Sequence, residues 1–247
     1  MIIIFFFKMT TLSNKLIRIM KDKKTSLCFS ADFTLSNDLF KWINIVGPHI
    51  CVLKTHIDIL EDFSNETIKN LIELKNKYNF LILEDRKFAD IGKTFQKQLN
   101  GGIYRISEWC DIITIHGVCA NGILEILKEQ KNNNIKTPNV LIVSEMSSNL
   151  NIIDENYTNN CYNIGLNYND IVLGFIAQKR IRKIEGNNFL FFTPGINLIK
   201  SKEKDQIYKT PEEAYKNGTN IIIVGSAIYN SEDMSQVLKY KYDIFNL

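Results

Sequence analysis

The sequence predicts one α/β domain folded as a single (β/α)8 TIM barrel with an additional N-terminal helix. Eight short apolar runs alternate with segments of helical periodicity along 247 residues, a length that one barrel accounts for. Polar residues recur directly after the apolar runs, where the βα loops of such a barrel build a site. An open doubly wound sheet is the competing architecture, but the Gly-rich phosphate turn it uses after its first strand does not follow Ser26–Ala31.

The elements follow in order. Residues 1–12 read as an N-terminal extension and 13–247 as the barrel. Met1–Phe7 is apolar but too short to span a bilayer, and it lacks the basic segment and cleavage site of a signal peptide; Met9 is an alternative start. Leu16, Ile17 and Met20 share one face of a helix over Asn14–Met20. Strands are expected at Ser26–Ala31, Ile50–Leu53, Phe80–Leu83, Ile112–Ile115, Val140–Val143, Ile171–Phe175, Phe189–Phe192 and Ile221–Val224. Helices are expected at Ser36–Val46, Glu66–Lys77, Ile91–Leu99, Cys119–Gln130, Tyr157–Leu166, Ala177–Lys183, Pro211–Asn217 and Glu232–Tyr240. Ser36 reads as one cap, and Thr210 with Pro211 as another.

Composition excludes several functions. The net charge of +3 arises from 30 basic and 27 acidic residues spread along the chain, so no basic stripe points to nucleic acid or an anionic membrane. Cysteines 28, 51, 110, 119 and 161 are odd in number and form no C-x-x-C pair. That argues against a disulfide framework or zinc site and favours a reducing, cytoplasmic compartment. Neither the spacing nor the partners of His49, His56 and His116 suggest a metal. His56 reads as a ligand contact and His116 as a structural donor.

Leu81–Thr94 reads L-I-L-E-D-R-K-F-A-D-I-G-K-T, a buried strand that ends in dense charge. Asp85 and Asp90 flank Lys87 and hold its ammonium by Coulomb attraction, which suits a general acid; a surface ion-pair cluster is the plain alternative. Lys54 at the end of the second strand and Asp32 at the end of the first would share the same mouth, giving alternating Lys and Asp charges able to stabilise a carbanion and protonate it. Other strand ends supply Ser144, Glu145, Ser147, Gln178, Thr193, Pro194, Gly195, Gly225 and Ser226.

L-K-T-H-I-D-I-L-E-D-F at Leu53–Phe63 and E-D-R-K-F-A-D-I-G at Glu84–Gly92 closely resemble orotidine 5'-phosphate decarboxylase, particularly its eukaryotic branch. The resemblance runs from about Ser13 to Tyr229 through S-L-C-F-S-A-D, E-W-C-D-I-I-T-I-H-G, S-E-M-S-S, G-F-I-A-Q, F-T-P-G-I and N-I-I-I-V-G. It implies a cytoplasmic homodimer that decarboxylates orotidine 5'-phosphate to UMP without cofactor, the last step of de novo pyrimidine synthesis. Carried over by position, Lys87 is the proton donor to C6, and Lys54 and Asp85 complete the charged array. Asp90 enters from the partner subunit. Asp32, His56 and the partner's Thr94 contact ribose, Ser147 contacts the pyrimidine, and Pro194 is a further substrate contact. Gln206 and Tyr208 match the family's phosphate grip, and the backbone N–H groups of Gly225 and Ser226 are expected to cradle phosphate as well.

Two departures bear on activity. V-G-S-A-I-Y places Ser226 where the family carries a phosphate-binding arginine, and Lys200, Lys202 or Lys204 is the expected partial replacement. N-L-N-I-I-D-E-N at Asn149–Asn156 replaces a small-residue loop over the pyrimidine. These changes support an alternative, a relative that binds UMP or a protein partner without turnover. A metal-dependent aldolase or sugar-phosphate decarboxylase, which can share D-x-K-x-x-D, is disfavoured by Lys54 at the position of a metal-binding acid.

Overall fold

Eight parallel strands close into a barrel in sequence order: β1 (Leu27–Ala31), β2 (Val52–Thr55), β3 (Leu81–Phe88), β4 (Ile112–His116), β5 (Asn139–Val143), β6 (Val172–Ile176), β7 (Leu190–Thr193) and β8 (Ile221–Val224). β1 pairs with both β2 and β8, so no edge is left open. This computed structural model describes residues 10–180, 188–200, 205–231, 233 and 235–242. The helices among them are α1 (Thr11–Lys23), α2 (Ser36–Val46), α3 (Asn65–Tyr78), α4 (Gly92–Asn100), α5 (Ala120–Asn132), α6 (Glu155–Asn167), α7 (Pro211–Lys216), α8 (Ser226–Tyr229) and α9 (Gln236–Lys239).

The strands bury both faces, as a parallel sheet requires. Leu81, Leu83, Leu141, Val143, Leu190, Phe192, Ile221 and Ile223 alternate inward and fill the barrel. Ile82, Ile113, Ile115, Val140, Ile142, Phe175 and Ile222 face outward against the helices. Leu16, Ile19 and Met20 of α1 join the inner cluster with Cys28, Val52, Leu81, Ile112 and Ile221, all at or near strand starts, so α1 forms the barrel floor. Lys23 ends that helix by donating to the carbonyls of Gly47, Ile50 and Tyr78 at 2.7, 2.6 and 2.8 Å. The floor is thereby tied to the starts of β2 and β3.

Several boundaries differ from expectation. Thr10 caps α1 through Ser13 N, so Thr11 and Leu12 belong to the helix, while residues 1–9 of the expected extension lie outside the described residues. β2 begins two residues later than expected. Ser36 is the first residue of α2 and is no cap; its backbone N–H and hydroxyl donate to Asp62 at 2.8 and 2.6 Å. Thr210 does cap α7, reciprocally with Glu213. No helix occurs over 177–180, and the rest of the expected Ala177–Lys183 helix lies outside the described residues. Of the expected Glu232–Tyr240 helix the described residues show Gln236–Lys239, with Glu232 and Met234 outside them, and α8 was not expected.

Candidate active site

The carboxyl ends of the strands enclose a cavity of about 330 Å³. Asp32, Lys54, His56, Asp85, Lys87, Ser147, Pro194, Gln206, Tyr208, Gly225 and Ser226 all line it. Among the residues to which the resemblance assigns a role by position, Asp90 and Thr94 lie outside this lining.

Asp85 is the centre of the charged group. Its Oδ2 accepts from Lys87 Nζ at 2.8 Å and lies 3.1 Å from Lys54 Nζ. Oδ1 accepts from the Thr114 hydroxyl at 2.8 Å. Burial favours the protonated acid, but Lys54, Lys87 and His56 outweigh it and hold this carboxyl well below the usual carboxylate range. Lys54 reaches Asp32 Oδ1 at 3.4 Å on its other side. Burial favours loss of its proton, yet Asp85 and Asp32 together raise its pKa, so it stays an ammonium. The order Asp32–Lys54–Asp85–Lys87 is therefore complete within one chain.

His56 Nε2 lies 2.7 Å from Lys54 Nζ. Burial and then Lys54 lower the imidazole pKa, so the ring is neutral at pH 7 and Nε2 accepts from the ammonium. Ser30 donates to both oxygens of Asp32 at 3.0 and 2.9 Å and fixes that carboxylate. His116 is half-buried at the end of β4, outside the cavity lining, with its pKa lowered by burial and then by Lys87.

Lys87 is aimed by an irregular backbone. Its φ is 49°, a left-handed conformation that costs a non-glycine residue of order 1–3 kcal/mol. The β3–β4 register shifts between Glu84 and Phe88, and Lys87 N donates to Thr114 Oγ1 at 2.8 Å. Such bulges re-aim side chains beside sites. The same departure carries the chain away from the mouth: Asp90 does not join the array as its spacing from Lys87 suggested. Its carboxylate instead accepts from Ile91 N at 2.7 Å, and Thr94 sits in the first turn of α4.

Opposite the charges, two loops meet. Gln206 Nε2 donates to Ser147 Oγ at 3.0 Å, and Ile207 N donates to the Ser147 carbonyl at 3.1 Å. Gly195 permits this approach: its φ is 74°, and a Cβ there would lie 2.8 Å from both Gln206 Nε2 and the Ile207 carbonyl. Lys200 is paired with Glu213 at 2.8 Å and does not line the cavity, while Lys202 and Lys204 lie outside the described residues.

Several polar residues expected at the mouth serve the scaffold instead. Ser144 donates to the Ile176 carbonyl at 3.0 Å, and Thr193 to that of Ala177 at 2.9 Å. Glu145 accepts from Gln178 N at 2.6 Å. Ser30, Thr114 and Tyr229 were missed. Thr114 had a signal, as the polar residue inside the apolar run I-I-T-I-H; Ser30 had one in its two-residue offset from Asp32, which places both on one side of β1. Tyr229 lines the cavity, with its ring 5.0 Å from Phe33.

Glu84, next to Asp85, is fully buried, and burial pushes its carboxyl up to about 8. A carboxyl near 4.5 when unfolded and near 8 when folded binds more protons in the native state across that window, so its contribution to stability declines as pH rises from about 4.5 to 8. The melting temperature is expected to fall between pH 5 and 8 in wild type and less in Glu84→Gln. Parallel curves would disprove it.

A family model described as "Orotidine 5'-phosphate decarboxylase / HUMPS family" matches residues 25–240. Orotidine 5'-phosphate decarboxylase of Candida glabrata is 44% identical over 221 residues, covering 88% of this chain and 83% of that protein. The Saccharomyces cerevisiae protein of the same name is 42% identical over 219 residues, covering 87% and 82%. Among solved structures, orotidine 5'-monophosphate decarboxylase of Methanocaldococcus jannaschii, complexed with the inhibitor BMP, aligns with a TM-score of 0.67 at 20% identity, covering 87% of this chain and 96% of that one. That likeness concerns the fold.

Proposed function

The chain belongs to the orotidine 5'-phosphate decarboxylase / HUMPS family, and from that premise we propose how its barrel mouth acts. The reaction is decarboxylation of orotidine 5'-phosphate to UMP, a carboxy-lyase step of pyrimidine synthesis. The observation that carries the reading is the convergence of Lys54 and Lys87 on one oxygen of Asp85, at 3.1 and 2.8 Å.

With substrate bound, its carboxylate lies against Asp85, and their repulsion opposes the ground state. The C6–carboxyl bond breaks, carbon dioxide departs, and the electron pair stays on C6. Lys54 and Lys87 stabilise that carbanion, and charges already fixed in place need no reorganisation to do so. Lys87 Nζ then gives its proton to C6, yielding UMP, and is reprotonated from solvent. The side chains supply all the charge this course needs, so it uses no cofactor.

Asp32 and His56 are proposed to hold ribose and Ser147 with Pro194 the pyrimidine. Asp90 and Thr94, outside their own chain's cavity lining, are proposed to complete the site of a second copy in a cytoplasmic homodimer. The direct test is loss of orotidine 5'-phosphate absorbance on adding purified protein. Binding of UMP without any turnover would refute the enzymatic reading.

Phosphate is proposed to rest on Gln206, Tyr208 and the backbone N–H groups of Gly225 and Ser226. With Lys200 committed to Glu213, Ser226→Arg is expected to lower the Michaelis constant about 10- to 100-fold, the worth of a charge-assisted contact of roughly 1.5–3 kcal/mol. An unchanged constant would mean that the grip is already complete.

A further inference from the structure

We infer that Glu84 is a positioning residue that clamps the end of β2 from behind and so aims Lys54 and His56 into the cavity. The inference rests on the decarboxylase reading of that site. The two faces of β2 and β3 provide the argument. Val52 packs inside the barrel and Lys54 and His56 line its mouth, whereas Leu53 and Ile57 pack outside against the helices. On β3, Leu81 and Leu83 face inward with Asp85, while Ile82 faces outward. Glu84, next in that alternation, points outward beside Thr55, its register partner on β2.

From there it holds the two residues that interleave with Lys54 and His56. The Thr55 hydroxyl donates to Glu84 Oε2 at 2.7 Å, and Ile57 N donates to Oε1 and Oε2 at 3.1 and 3.3 Å. Asp85 meanwhile takes the Lys54 ammonium from the front at 3.1 Å. Adjacent carboxyls thus grip the four residues 54–57 from opposite faces of the sheet. Burying a carboxyl is costly unless it is fully engaged, and an apolar outward face would pack against helices without it. What the carboxyl adds is a fixed pitch for the chain that carries Lys54 and His56. Its raised pKa keeps it protonated at neutral pH, so glutamine reproduces its shape, with Oε1 accepting from Ile57 N and Nε2 donating to the Thr55 hydroxyl in the reverse sense.

Glu84→Ala and Glu84→Gln are compared with wild type for turnover, UMP affinity and melting temperature. Glu84→Ala is expected to lower kcat about 10- to 100-fold, the scale of lost orientation around a catalytic group, with a smaller loss of UMP affinity of about 3- to 10-fold through His56. Glu84→Gln is expected within about threefold of wild type on both. A purely structural Glu84 would lower the melting temperature of Glu84→Ala while leaving kcat and UMP affinity of the folded protein unchanged, which would overturn the proposal. Equal losses in both variants would also overturn it. Should Glu84→Ala fail to fold, Thr55→Val removes one contact of the clamp, and an unchanged kcat there refutes the idea. If wild type shows no turnover, the decarboxylase reading falls by itself. UMP affinity then decides: weakened by Glu84→Ala and restored by Glu84→Gln supports the clamp, and equal affinity in all three overturns it.

Discussion

Lys87→Ala is expected to bind UMP and to turn over orotidine 5'-phosphate at least about 10²- to 10⁴-fold more slowly, the range for loss of a positioned general acid. Two proposed roles are lost together, since the one ammonium is assigned both to face the developing carbanion and to supply its proton. The variant should still fold: Lys87 N keeps its bond to Thr114 Oγ1, and Asp85 keeps Lys54 and the Thr114 hydroxyl. Single-turnover absorbance measurements at saturating substrate give the number. Retention of more than about a tenth of the wild-type rate would mean that another group or water protonates C6.

Asp85→Asn is expected to harm stability and turnover at once. Asp85 is the shared partner of two lysines and lies 3.5 Å from His56 Nε2. Removing one member of a buried charged group typically costs about 3–5 kcal/mol because the remaining charges are left uncompensated. Lys54, whose pKa is raised only because Asp85 and Asp32 outweigh burial, then falls back toward the neutral amine. The carbanion stabilisation proposed for it falls with it, and turnover should drop about 10²- to 10³-fold. Thermal melting and the same assay check both arms; wild-type stability with turnover within tenfold would show the array to be redundant.

The barrel and most of the mouth were legible because both depend on local patterns. Apolar runs of strand length mark sheet residues whatever their neighbours, and a TIM barrel places the following polar residues at one end. What escaped depended on partners distant in sequence. The third strand was expected to stop at Leu83, where charge begins; it runs to Phe88 because Glu84 is paired with Thr55 and Asp85 with Thr114 and Lys54. Ser36 has the composition of a cap, but Asp62 claims both of its donors. Asp90 is spaced to face Lys87, but the backbone turns left-handed at Lys87 itself, and no side-chain pattern announces such a φ. Ser144 and Thr193 resemble mouth residues in sequence and differ only in which neighbouring strand supplies a carbonyl.

The pairing of β1 with β8 sets the order in which the molecule can be assembled. The socket for Leu16, Ile19 and Met20 includes Ile221 and Ile223, residues made about 200 positions after α1. At synthesis rates of about 5–20 residues per second, the roughly 190 residues between β1 and β8 take about 10 to 40 s to emerge. Throughout that interval α1 has its apolar face without the last strand's share of the core, and closure must wait for contacts of very large sequence separation, the kind that slow folding most. The helix that becomes the barrel floor is thus made long before the strand that completes its socket.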